Sequence, residues 1–141
     1  MLPFVPASFG DIVAAANIAH LIYQALKDST GSSYEYQCLI GEVHSFEDAL
    51  RAVDFAITVT PPSGRLAQYI EAETTRCLEL LKKFLHSIKS YQKALGGGSK
   101  GANSWRQIGW GLLKADKVAT FRQKLSQHRQ NIALLLSGLM M

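Results

Sequence analysis

The most constraining feature of this chain of 141 residues is a stretch near its amino terminus with very little polarity. Residues 12–26 contain no formally charged side chain. The few polar residues in and just after the stretch recur at intervals of three and four: Asn17, His20, Gln24 and Lys27. On an α-helix this spacing gives one narrow polar stripe, and the rest of the surface is apolar. Such a helix must bury most of its circumference, either in a protein core or in the acyl region of a membrane surface.

The composition is that of a folded protein. Apolar residues make up 48% of the chain and charged residues 18%, which excludes an intrinsically disordered chain, and the length predicts a single domain over residues 1–141. No apolar run reaches the roughly 20 residues of a membrane-spanning helix, and the amino terminus lacks the basic start of a secretory signal. We therefore predict a cytoplasmic protein. Cys38 and Cys77 lack CxxC spacing, which favours two reduced thiols over a disulfide.

Hydrophobic periodicity predicts an all-α fold. Apolar residues recur by three and four in segments of about 9–27, 33–57, 65–95 and 116–137. Ser8 and Asp11 have the spacing of a capping box at the start of the first helix. Four long amphipathic helices predict an antiparallel four-helix bundle. A Gly-rich linker at 96–101 and an additional short helix at about 104–113, around Trp105–Leu113, complete the prediction.

Charge is divided between the two halves of the chain. Residues 1–79 hold four basic and ten acidic side chains, a net charge of −6, whereas residues 80–141 hold eleven basic and one acidic, a net charge of +10. Either acidic helices pack against basic ones, or the second half presents a cationic face to anionic lipid or nucleic acid. No helix-turn-helix, zinc-finger or RNP signature occurs, so we expect no nucleic-acid partner. The residues expected to contact anionic lipid are Lys82, Lys83, Lys89, Lys93, Lys114, Lys117 and Arg122.

The chain carries no catalytic or metal-binding signature. The four histidines lie in separate segments, without HExxH or Cys/His spacing, although a site assembled across helices stays an open alternative. We interpret Glu47 and Asp48 as solvated surface, and His20 and His128 as partly buried, hydrogen-bonded residues. A GxSxG nucleophile and a phosphate-binding loop are also absent. We expect no enzyme activity, no catalytic residue, no cofactor and no metal site.

Three blocks of helix-core residues resemble a known family. They are Ser8-Phe9-Gly10-Asp11-Ile12 with Leu21-Ile22-Tyr23-Gln24-Ala25-Leu26, then Phe84-Leu85 with Ile88 and Tyr91-Gln92-Lys93-Ala94-Leu95-Gly96, and then Trp105-Arg-Gln-Ile-Gly-Trp-Gly-Leu-Leu-Lys with Phe121-Arg122-Gln-Lys124-Leu125. From about Ser8 to Leu136 the chain resembles the HeLo-like N-terminal domain of fungal STAND (NLR-like) proteins.

The resemblance implies an all-helical effector domain of programmed cell death. It implies that an activating NLR-like partner, or further carboxyl-terminal domains of a longer chain, causes self-association, after which the domain moves from the cytoplasm to the membrane. It also implies insertion of the first helix, here through Phe9, Ile12, Val13, Ala16, Leu21, Ile22 and Leu26. The alternative function is a helical protein–protein interaction module, for dimerisation or as an adaptor, without membrane activity.

Overall fold

The computed structural model describes residues 7–27, 34–94 and 115–140, which form four α-helices and, within these ranges, no strand. The helices are α1 (Ala7–Leu26), α2 (Tyr34–Val59), α3 (Gly64–Ala94) and α4 (Ala115–Leu139). The all-α prediction is confirmed, and each helix end lies within two residues of the predicted one. The Gly-rich linker at 96–101 and the short helix around Trp105–Leu113 lie outside the described residues.

The helices occupy the four corners of a bundle. Both α1 and α4 pack against α2 and α3, so α1 and α4 stand at opposite corners. Contacts that fix the helix directions are Asn17 with Arg51 and His20 with Glu47 between α1 and α2, and Leu66 with Gly138 and Phe84 with Phe121 between α3 and α4. Within each helix pair, residue numbers rise on one helix as they fall on the other. The two pairs are therefore antiparallel, as predicted.

Burial follows the predicted spacing of three and four in every helix. The largest fully buried side chains include Ile12, Ile22, Leu26, Leu39, Phe46, Leu50, Ile70, Leu81, Leu125 and Ile132. On α1 the side chains of Ala15, Ala16 and Ala19 are buried as well, and their small volume lets this helix lie close to its neighbours. The sequence left two environments for the first helix, a protein core and a membrane surface. In this structure α1 is buried in the protein core.

A short turn joins two helices that stand at opposite corners. The sequence Thr60-Pro61-Pro62-Ser63 ends α2, because proline donates no hydrogen bond and disfavours helix at the residue before it. Gly64 then opens α3 with φ at 62°, a conformation that residues with a side chain rarely adopt.

Two phenylalanines on α2 test whether the core is packed as described. Phe46 is completely buried, whereas Phe55 is 71% exposed. We expect Phe46→Ala to lower the free energy of unfolding by about 3–5 kcal/mol, because it removes buried surface and leaves a cavity. Phe55→Ala is the matched control and is expected to stay within about 0.5 kcal/mol of the wild type. Urea denaturation followed by circular dichroism measures both, and equal effects of the two variants would contradict this core.

Candidate functional site

A cationic groove of about 340 Å³ runs between α3 and α4. Lys83 from α3 and Lys117 and Lys124 from α4 line it together with one acid, Asp116, and all four are exposed, so the lining has a net charge of +2. The floor includes Phe84 and Phe121, which are buried and whose rings stack with centroids 3.9 Å apart. Because lysines outnumber the acid in the lining, the groove can take an anionic group. We call this site the α3/α4 groove.

The α3/α4 groove contains only part of the lysine set predicted to bind anionic lipid. Lys83 and Lys117 line it, and Lys82 and Lys89 are exposed on α3. Sequence reasoning missed Lys124, although it lies seven residues after Lys117 and so on the same side of α4. The side chains of Lys93 and Lys114 lie outside the described residues.

Arg122 is engaged within the bundle. Its Nε and Nη2 atoms donate to the two carboxylate oxygens of Glu42 at 2.8 and 2.9 Å. This bidentate pair joins α4 to α2, so the positive charge of Arg122 is balanced by Glu42 at the partly exposed surface between these helices. Acidic and basic halves of the chain therefore meet here, which was one of the two interpretations of the charge division.

The residues of α1 that were expected to insert into a membrane do not share one exposed face. The side chains of Ile12, Ala16, Ile22 and Leu26 are buried in the bundle core. Val13 and Leu21 are 42% and 51% exposed. The side chain of Phe9 lies outside the described residues. In this conformation most of the apolar surface of α1 contacts protein.

The polar stripe of α1 is tied to α2 through Glu47. His20 donates from Nδ1 to one oxygen of this carboxylate at 3.2 Å, and Arg51 donates from Nε to the other at 2.8 Å. Glu47 is buried, so its interpretation as solvated surface is wrong. The reason is that His20 and Arg51 supply the hydrogen bonds that water would otherwise make. His20 is hydrogen-bonded as predicted, although 46% of its side chain is exposed.

The hydrogen bonds to Glu47 also decide its ionisation. Burial would raise the pKa of the Glu47 carboxyl, but the hydrogen bonds from Arg51 and His20, together with the charges of these groups, outweigh burial and hold the pKa below its ordinary value. Glu47 is therefore ionised in the folded bundle at neutral pH.

A second buried carboxylate, Glu73, joins α3 to α4. Its Oε2 atom accepts from His128 Nδ1 at 2.5 Å and from Cys77 Sγ at 3.7 Å. Its Oε1 atom accepts from Arg76 at 3.2 Å and from Asn131 at 3.3 Å. Burial, followed by the negative charge of Glu73, raises the pKa of the Cys77 thiol, so the thiol keeps its proton.

The buried cluster of Glu73, Cys77 and His128 was not found from the sequence. The prediction that His128 is partly buried and hydrogen-bonded is confirmed, since 17% of its side chain is exposed. A weak signal existed on α3, where Glu73 takes the place of an apolar residue in the series Ile70, Glu73, Cys77. Both Cys77 and Cys38 are free thiols, as predicted.

A comparison of the chain with known protein families, curated proteins and solved structures finds no match. None of the described helices combines the length and the hydropathy needed to cross a membrane. Candidate functions therefore follow from the α3/α4 groove, the apolar surface of α1 and the buried Glu73 cluster.

The lowered pKa of Glu47 predicts a pH-dependent contribution to stability. Because the pKa in the folded state is below the unfolded value of 4.5, ionised Glu47 stabilises the fold above that pH, and this contribution is lost as the pH falls through the lower folded pKa. We expect Glu47→Gln to be less stable than the wild type at neutral pH, with a difference that shrinks on acidification. Urea denaturation over a pH series measures it.

Asp48→Asn is the matched control for Glu47→Gln. Asp48 is the neighbouring acid on α2, and 69% of its side chain is exposed. We expect this variant to change the free energy of unfolding by less than about 1 kcal/mol at any pH, because exposed ion pairs contribute little. A Glu47→Gln difference that stays constant with pH would contradict the role given to the carboxylate.

Proposed function

We propose that the chain is a membrane-targeting effector domain of a fungal NLR-like system of regulated cell death, which self-associates and binds anionic membranes. The observation that carries the proposal is the α3/α4 groove, which is lined by Lys83, Lys117 and Lys124 against the single acid Asp116. The family resemblance of the sequence supports the same function.

The lysines of the α3/α4 groove suit a headgroup layer of anionic lipids. Each lysine near such a surface contributes about 1 kcal/mol, so three of them favour the bound state by about 3 kcal/mol, roughly a hundredfold in affinity. This attraction falls as salt is added, because the Debye length shortens.

Insertion of α1 belongs to a later, activated state in this proposal. Ile12, Ile22 and Leu26 are at most 1% exposed, and each such side chain loses about 1.5–3 kcal/mol of favourable burial when it meets water. The closed bundle therefore retains α1. A trigger from a partner, followed by transfer of α1 to the acyl region in an oligomer, returns this free energy by burying the same side chains in lipid.

The alternative is a helical protein-interaction module without membrane activity. Its support is a second groove between α3 and α4, of about 280 Å³, which Tyr69 and Leu134 line. These two large side chains are 58% and 72% exposed, and large apolar side chains that line one groove are typical of a surface that binds a partner helix. We call this second site the Tyr69 groove.

Charge reversal in the α3/α4 groove tests membrane binding. We expect the double variant Lys117→Glu with Lys124→Glu to bind vesicles of mixed phosphatidylserine and phosphatidylcholine at least about tenfold more weakly than the wild type, because two attractive charges become repulsive. Sedimentation with vesicles at two salt concentrations measures the affinity.

Lys27→Glu with Arg65→Glu is the matched control for this double variant. It makes the same change in net charge at two exposed positions that do not line the α3/α4 groove. We expect it to bind more tightly than the groove variant. Equal loss in both variants, or equal wild-type binding to neutral and anionic vesicles, would rule out the groove as the binding site.

Two exposed leucines separate the two candidate functions. Leu21 lies on α1 among the residues expected to insert, and Leu134 lies in the Tyr69 groove. Once the chain has been activated and has oligomerised on anionic vesicles, we expect Leu21→Asp to reduce their leakage, since a charged residue opposes insertion, while Leu134→Asp leaves leakage unchanged. Circular dichroism confirms folding. The interaction module would be established instead by three results together. The wild-type chain forms concentration-dependent oligomers in light scattering, the Leu134→Asp variant does not form them, and the wild-type chain binds no vesicle.

A further inference from the structure

We propose that Glu73, Cys77 and His128 form a binding site for a divalent metal ion of the zinc class between α3 and α4. The three side chains supply a carboxylate oxygen, a sulfur and an imidazole nitrogen, which together are the donor types that Zn²⁺ takes in proteins. These donor atoms lie within 4.8 Å of one another. This site is separate from the α3/α4 groove and does not depend on the proposed membrane function.

The donor atoms are close to the spacing that a tetrahedral ion needs. Bonds of about 2.0–2.3 Å at tetrahedral angles place neighbouring donors of these types roughly 3.3–3.6 Å apart. Cys77 Sγ and Glu73 Oε2 are 3.7 Å apart. His128 Nδ1 and Glu73 Oε2 are 2.5 Å apart, so this pair must separate by about 1 Å when the ion binds.

The backbone and the neighbouring side chains hold the donors in place. Glu73 and Cys77 are four residues apart on α3, so both project from the same side of the helix. Arg76 and Asn131 donate to Oε1 of Glu73, and this leaves Oε2 directed at the other two donors. Hydrogen bonds to the second oxygen of a ligating carboxylate are the usual support of a metal ligand.

The charge balance of the cluster also fits a divalent cation. On binding, the Cys77 thiol proton leaves to solvent, and the proton on His128 Nδ1 leaves that nitrogen, for Nε2 or for solvent, so that the neutral ring coordinates through Nδ1. A doubly charged ion, one thiolate, one carboxylate and one neutral imidazole together carry no net charge, which keeps the free-energy cost of burial low.

The site has an entrance and one open position. Glu73, Arg76 and Asn131 line the Tyr69 groove, so this groove reaches from the surface to Glu73, one of the three ligands. Three protein ligands leave the fourth tetrahedral position for water or for a small ligand that enters through the groove.

Titration of the reduced chain of 141 residues with Co²⁺ tests the site. We expect one Co²⁺ per chain, with near-ultraviolet absorption from charge transfer between thiolate and cobalt and visible bands of a tetrahedral ion. Cys77→Ala is expected to abolish the charge-transfer absorption. Cys38→Ala is the matched control, because Cys38 is the other free thiol and lies on α2, and it is expected to retain the full signal.

Substitution of Asn131 tests the positioning of Glu73. We expect Asn131→Ala to weaken Co²⁺ binding about 10–100-fold without loss of the charge-transfer absorption, as for other hydrogen-bond partners of metal ligands. Zn²⁺ is expected to compete with Co²⁺ and to raise the Tm of the wild type but not of Cys77→Ala.

The opposite results would overturn the metal site. They are a wild-type chain without thiolate–cobalt absorption, or the same absorption in Cys77→Ala. Either result would leave Glu73 and His128 as a hydrogen-bonded pair only. If circular dichroism shows that Cys77→Ala does not fold, His128→Gln is titrated in its place. Undiminished Co²⁺ affinity in His128→Gln would contradict the proposal.

Discussion

Burial of α1 between α2 and α3 is the contact on which the rest of the bundle depends. The helices α2 and α3 stand at opposite corners, so α1 and α4 are the two helices that bridge them. Ile12, Ile22 and Leu26 place their full side chains in this contact. Withdrawal of α1 uncovers one side of α2 and one side of α3 together, and it breaks the contacts of Glu47 with His20. The same helix is thus both the main stabiliser of the closed form and, in the proposed function, the part that leaves it.

Polar contacts cross every helix interface, and most of them centre on an acid of the first half of the chain. They are Glu47 with His20 between α1 and α2, Asp11 with Thr75 between α1 and α3, Glu42 with Arg122 between α2 and α4, and Glu73 with His128 between α3 and α4. Apolar burial drives the four helices together without fixing their rotation. Because Glu47 and Glu73 are buried and such carboxylates need their particular partners, the contacts of these two acids select one rotation and one register.

The sequence predicted the helices and the core well because both depend on local periodicity, whereas the candidate sites depend on which helices meet. The spacing of three and four identified the buried faces, and it placed His128 between Leu125 and Ile132 on the inner side of α4. The burial of Glu47 and Glu73 could not be predicted from this periodicity. Their histidine partners are 27 and 55 residues away along the chain, and a hydropathy pattern assigns every isolated acid to the surface. Two lysines of the α3/α4 groove, Lys83 and Lys117, were among the residues predicted to contact lipid, but the groove itself was not predicted. Hydrophobic periodicity does not show that α3 packs against α4.

The diagonal placement of α1 and α4 separates two surfaces that a lipid bilayer could meet. The α3/α4 groove lies on the side formed by α3 and α4, and α1 belongs to the opposite side, which it forms with α2. In the proposed function, a closed molecule that rests on a bilayer by Lys117 and Lys124 therefore holds α1 on the side away from that bilayer. The first helix can then reach the lipid only after the bundle has opened or the whole molecule has turned over.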